Sequence, residues 1–174
     1  MPTLIELKDG VCRGIDDPFT HVEDDAELPP GDVILSLTRF QQEGDRLLSE
    51  GRRVGVRLQA DEEVEALAYD LPKLAVVGLV ALVFPKYRDG RAYTNARLAR
   101  ERFGFKGQVR AVGDVLREQA GFMARVGFDA FEPADDASAN EWQAAIQRYR
   151  HVYQRSADGR APLFKERAFA ERES

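Results

Sequence analysis

Leu79-Val80-Ala81-Leu82-Val83-Phe84 runs without a polar residue into Pro85-Lys86-Tyr87-Arg88-Asp89-Gly90-Arg91-Ala92-Tyr93. A continuous apolar hexamer suits a strand covered on both faces, as in a parallel sheet. The loop after it leads into a helix over about residues 91–103, where Ala92, Ala96, Ala99 and Phe103 recur at near-helical spacing and Gly104 closes the last turn. The small alanines let that helix lie close against the sheet.

The same rhythm extends in both directions. Upstream, residues 33–37 and 54–58 read as strands, separated by a helix that Thr38-Arg39-Phe40-Gln41 opens as a capping box and Gly51 closes. Asp61 is placed to cap a further helix, with Glu62 and Glu63 against its dipole and Leu71-Pro72 at its end. Downstream, residues 108–112 form a fourth strand, Asp114 caps a helix ending at Gly127, and residues 128–132 form a fifth strand. Ser138-Ala139-Asn140-Glu141 is a second capping box, opening a helix through about Tyr153. Repeated strand-helix units imply a parallel α/β sheet of about five strands. A doubly wound sheet is the first expectation and a partial β/α barrel the alternative. Residues 1–32 carry a small hairpin around Asp9-Gly10 and an acidic loop, residues 33–155 the α/β domain, and residues 156–174 a charged tail that is mobile or docked on a partner.

Composition narrows the function classes. A chain of 174 residues supports one domain with a full core. With 25 basic and 30 acidic groups, a net charge of −5, it has no overall attraction for nucleic acid or anionic lipid. Any anion site must be a local cluster. The single Cys12 excludes an intrachain disulfide or a multi-cysteine metal centre. No signal peptide and no apolar run near 18 residues are present, so the expectation is a cytoplasmic chain with no membrane partner.

In an open α/β sheet, ligands collect where loops at the carboxyl ends of the strands meet helix N-termini. Two such loops stand out, residues 84–94 and 110–117. Gly90, Arg91, Arg110 and Gly113, with Tyr87 at the edge, are the expected ligand-binding set. Arginine offers a planar fork for phosphate, sulfate or carboxylate, and glycine lets the backbone approach an oxyanion. Asp89, Tyr93 and Asp114 are the candidates for moving protons. Arg110 sits inside a covered strand and therefore needs a carboxylate or a ligand, with Asp114 the nearest partner in sequence. His21 and His151 stand far apart in sequence, so no metal site is expected. Glycine-rich nucleotide loops, the phosphate-binding Gly-Lys-Ser/Thr loop and the Gly-x-Ser-x-Gly elbow are all missing, which leaves the cofactor unknown.

Val83-Phe84-Pro85-x-Tyr87-x-Asp89-Gly90-Arg91-x-Tyr93, Ala96-Arg97-Leu98, residues 110–117 followed by Gln119, and Gly127-Phe128-Asp129-Ala130-Phe131 together resemble a bacterial domain-of-unknown-function family. That family accompanies sulfite reductase genes and carries the label of an oxidoreductase of sulfite reduction. The resemblance covers roughly residues 30–135. It implies an accessory protein of assimilatory sulfate or sulfite reduction that binds an anionic metabolite, the reductase, or another sulfate-assimilation enzyme at the two loops. A small cofactor-dependent oxidoreductase and a non-catalytic scaffold or dimerisation module are the alternatives. Where the family often has Gly after Arg91 this chain has Ala92, and where it often has Cys the chain has Val126. An activity in this chain therefore cannot depend on a thiol at 126.

Overall fold

Arg57, Ala81, Arg110 and Ala130 stand side by side on four adjacent strands, and the curl of the sheet around that row organises the molecule. The computed structural model describes residues 3–70 and 73–170. Its strands are β1 (Thr3–Lys8), β2 (Val11–Asp16), β3 (Phe19–His21), β4 (Asp32–Ser36), β5 (Val54–Leu58), β6 (Leu79–Phe84), β7 (Gln108–Gly113) and β8 (Ala130–Phe131). They form one sheet in the order β2-β1-β8-β7-β6-β5-β4-β3, with β3 through β8 all parallel. The hairpin of β1 and β2 adds antiparallel to β8.

This is a mixed α/β half-barrel, the second of the two expected architectures. A doubly wound sheet reverses its strand order at a switch point. Here the order from β3 to β8 never reverses, and the sheet curls instead. The strand number also exceeds the expected five. Three-residue β3 is too short to show periodicity, and the Asp9-Gly10 hairpin, correctly placed, extends the main sheet. Asp9 and Gly10 both adopt positive φ, at 52° and 77°, the turn geometry that matches the twist of paired strands.

Alternation divides the strand residues between two faces. Val33, Leu35, Val56, Val80, Leu82, Phe84, Val109 and Ala111 point outward into the principal core, where they meet the helices. These are α1 (Leu37–Ser49), α2 (Arg91–Arg97), α3 (Ala120–Val126) and α4 (Ala139–Gln147), while α5 (Leu163–Ala170) lies near the end of the chain. Ile34, Leu79, Ala81 and Val112 face the other way and pack with Phe19 and Val83 inside the curl. The central β6 is therefore covered on both sides, as its unbroken apolar sequence requires. Ala92, Ala96 and Ala99 are all buried against it, and the helix continues from α2 through a π-helical turn at Leu98–Arg102.

Several boundaries shift for local reasons. α1 is capped by Ser36, whose hydroxyl accepts from the Arg39 N–H, so Leu37 begins the helix ahead of the expected Thr38 box. The segment after Asp61 makes turns up to Val64 and is helical only from Glu65, π-helical over Ala66–Asp70, and its expected end at Leu71-Pro72 lies outside the described residues. The Ser138–Glu141 capping box forms as expected, but α4 stops at Gln147 rather than near Tyr153. Part of the charged tail becomes α5, joined to the body by the Leu163 N–H donating to the Val152 carbonyl (2.7 Å). Among the described residues no helix is long and apolar enough to cross a membrane.

Candidate functional site

Neighbouring groups hold the backbone of the 84–94 loop. Gly113, at φ 95°, passes so close to β6 that a Cβ there would lie 2.4 Å from the Phe84 carbonyl oxygen. Asp114 then donates its N–H to that oxygen (2.8 Å), and its carboxylate accepts from the Tyr87 N–H (2.8 Å). Gln119 holds the other side of the same residue, donating from Nε2 to the Tyr87 carbonyl (2.6 Å). Tyr87 and Arg88 project from this frame, the guanidinium 5.3 Å from the ring centroid and its Nε donating to the phenol oxygen (2.7 Å).

The remaining loop residues are occupied with one another. Arg91 closes on Asp89 (2.6 Å), whose carboxylate also accepts from the Arg91 backbone N–H (3.1 Å). The hydrogen bonds from Arg91 pull the Asp89 carboxyl down to about 2. Gly90 begins α2 with no side-chain cap. Tyr93 turns into the outer core, edge-on to Phe84 at 5.4 Å, and burial pushes its phenol up to about 12. Asp89, Tyr93 and Asp114 are thus a carboxylate paired with Arg91, a half-buried phenol and a loop cap.

Arg110 does not join them. Its side chain is wholly buried inside the curl, where it bonds Asp17 (2.5 and 3.0 Å), Glu132 (2.9 Å) and Gln108 (2.9 Å) and lies 5.7 Å from the Phe19 ring centroid. The expected Arg110–Asp114 pairing is replaced by two carboxylates from opposite ends of the sequence. His21 adds its Nε2 to Glu132 Oε1 at 2.7 Å. Burial works against ionisation of Glu132, yet the bonds from His21 and Arg110 outweigh it and hold its pKa below 4.5. Two strands away Arg57 pairs with Glu23 at 3.2 and 3.3 Å, which ties one residue of the expected acidic loop to β5. This cluster lies beside a cavity of about 610 Å³ that Phe19, Thr20, His21, Pro133 and Asp135 help to line.

Sequence reasoning reached Arg110 and its need for partners. It missed Asp17, His21, Glu23, Arg57 and Glu132, whose meeting depends on sheet curl. The usable signal was an arginine in each of two otherwise apolar strands, which requires acidic groups on the same face.

A second surface feature lies on the helical side. α3 and α4, with the chain that follows α4, enclose a groove of about 700 Å³. Phe122, Tyr149 and Tyr153 line it and remain largely exposed. Arginines surround them: Arg117 pairs with Glu141 (2.8 Å), Arg125 with Asp158 (3.0 Å), Arg160 donates to the Tyr149 carbonyl (3.1 Å), and Arg148 lies over the Tyr149 ring at 5.7 Å. Arg117 belongs to the expected 110–117 loop, and Gln119, two residues on, grips Tyr87. The 84–94 loop and the groove are consequently neighbours on one surface.

Among the described residues no group of three or more His, Cys, Asp or Glu side chains is arranged to hold a metal ion. Cys12 is buried in β2, and burial raises its thiol to about 11. A neutral thiol of that kind is a poor nucleophile near pH 7.

Residues 55–164 match the family described as "Bacterial protein of unknown function (DUF934)", and the chain belongs to that family. No curated protein matches the chain.

Proposed function

We propose that this member of a bacterial family of unknown function is an accessory protein of assimilatory sulfate or sulfite reduction that acts by docking on another protein, the sulfite reductase or an enzyme working beside it. The reference to sulfite reduction rests on the resemblance in the 83–131 motifs. The docking mode rests on one observation, the groove between α3 and α4 in which Phe122, Tyr149 and Tyr153 stay exposed among arginines. Exposed aromatic and arginine side chains around an apolar cleft are the composition of protein interfaces.

The state of the candidate catalytic groups supports the same reading. Asp89 is paired with Arg91, Tyr93 holds its proton to about 12, and the Arg110 charge is matched by Asp17 and Glu132. An anionic metabolite entering the curl would have to displace those carboxylates. The exposed Tyr87–Arg88 tip lies next to the groove and extends the docking surface to the loops the sequence singled out.

Deletion of the gene tests the physiological half. Growth that fails on sulfate but returns with cysteine is expected, and normal growth on sulfate alone would overturn the assignment. Co-elution of the purified chain with sulfite reductase tests the docking half.

A further inference from the structure

The geometry points to an acidic amphipathic helix as the element that the α3–α4 groove holds. The inference rests on the docking reading and adds the chemistry of the partner.

Shape comes first. The groove follows α4, nine residues long and so about 13 Å by helical rise. A segment of two to three helical turns matches that length, and helices lying in grooves present apolar anchors at spacings of three and four residues. Phe122 from α3 and Tyr149 beyond α4 both line the groove and offer aromatic surface for such anchors. Both already expose more than half their surface, at 58% and 57%.

Charge then chooses the partner. Four arginines and two glutamates line the groove, and Asp158 pairs with Arg125 beside it, which leaves one positive charge in excess in a chain whose net charge is −5. Glu141 is used by Arg117 and Asp158 by Arg125, whereas Arg148 and Arg160 have no carboxylate partner among the described residues and only the exposed Glu118 stands against them. The cationic excess is therefore local to residues that line the groove. Carboxylates on the exposed flank of an incoming segment satisfy it, and opposite potentials raise the association rate and select the partner.

A second copy of this chain fits poorly. Its most exposed helix, α5, reads Leu-Phe-Lys-Glu-Arg-Ala-Phe-Ala and brings two cations against one anion to an already cationic groove. Glu166, that one anion, is moreover paired with His151 (2.8 Å) beside the groove of its own chain.

The test uses the full chain and three synthetic helical peptides read by fluorescence anisotropy. One carries two leucines four residues apart with glutamates on the other face. The second replaces glutamates by lysines, and the third replaces leucines by serines. The acidic amphipathic peptide is expected to bind at least about tenfold more tightly than either control. Its affinity should fall with added salt and drop about tenfold in Phe122→Ala and in Arg148→Glu, both checked for folding by circular dichroism. Equal binding of acidic and basic peptides, absence of acidic-peptide binding, or a concentration-dependent dimer that Phe122→Ala abolishes would each overturn the inference. The two readings fail separately. If the reductase binds through the groove but the acidic peptide does not, the partner chemistry is wrong and the docking reading stands. If the peptide binds and the reductase does not, the assignment to sulfite reduction is wrong.

Discussion

Arg110 lies 2.5 Å from Asp17, a residue 93 positions earlier, and this bond holds the segment before β3 against β7 inside the curl. The pair fills the interior of the half-barrel at that point with matched charge, the Arg110 side chain being wholly buried. Removing one partner from a buried ion pair leaves the other uncompensated, at a cost of up to 3–5 kcal/mol. Glu132 remains beside Arg110, so Asp17→Ala is expected to cost less, about 2–3 kcal/mol. Urea unfolding followed by circular dichroism measures it, and a loss below about 0.5 kcal/mol would show that the pair does not hold that segment.

Acid should weaken the same network. The folded pKa of Glu132 is depressed, so its stabilising contribution is present above the unfolded value near 4.5 and is lost as the pH falls through the lower folded value. Asp129 opposes this trend, because burial outweighs the pull of Arg100 and raises its pKa. The informative quantity is the difference between wild type and Glu132→Gln. That difference is expected to be largest near neutrality and to shrink below about pH 4.5. Thermal melts between pH 3 and pH 7 give it directly.

Two glycines in the candidate loops should respond differently to the same substitution. Gly113 has φ 95° and no room for a Cβ against the Phe84 carbonyl, whereas Gly90 has φ −90° and its nearest contact, Tyr93, at an ordinary 3.9 Å. Gly113→Ala is expected to destabilise by about 2 kcal/mol or more, and Gly90→Ala by less than about 0.5 kcal/mol. Similar melting temperatures for the two variants would contradict the close approach of β6 and β7.

Thiol chemistry provides a check on the N-terminal hairpin. Cys12 is buried and its thiol is held neutral by burial up to about 11. Its labelling by a thiol-specific reagent at pH 7.5 should be slow in the native protein and rapid in urea. Fast native labelling would mean that β2 opens readily from the sheet edge.

The parts of the fold that were legible in the sequence are those fixed by local pattern. The unbroken apolar β6, the buried alanines of α2, the Asp9-Gly10 hairpin and the Ser138 capping box all depend on residues close in the chain. The half-barrel was legible only as an alternative, since strand order is a long-range property that periodicity does not encode. The site was read in part for the same reason. The 84–94 loop and the need of Arg110 for a partner could be seen, but nothing near Asp17 or His21 in the chain shows that curl brings them to β7 and β8. The groove was hidden further, because Phe122 on α3 and Tyr149 beyond α4 come to line one groove only through the packing of α3 on α4.

The docking surface is the centre of the account, and hydrogen–deuterium exchange of the full chain with and without purified sulfite reductase tests it most directly. Slowed exchange is expected in residues 117–125 and 139–153, together with the Tyr87–Arg88 tip, and should be absent in Phe122→Ala. Unchanged exchange across the groove, or protection confined to the opposite, hairpin edge of the sheet, would contradict it.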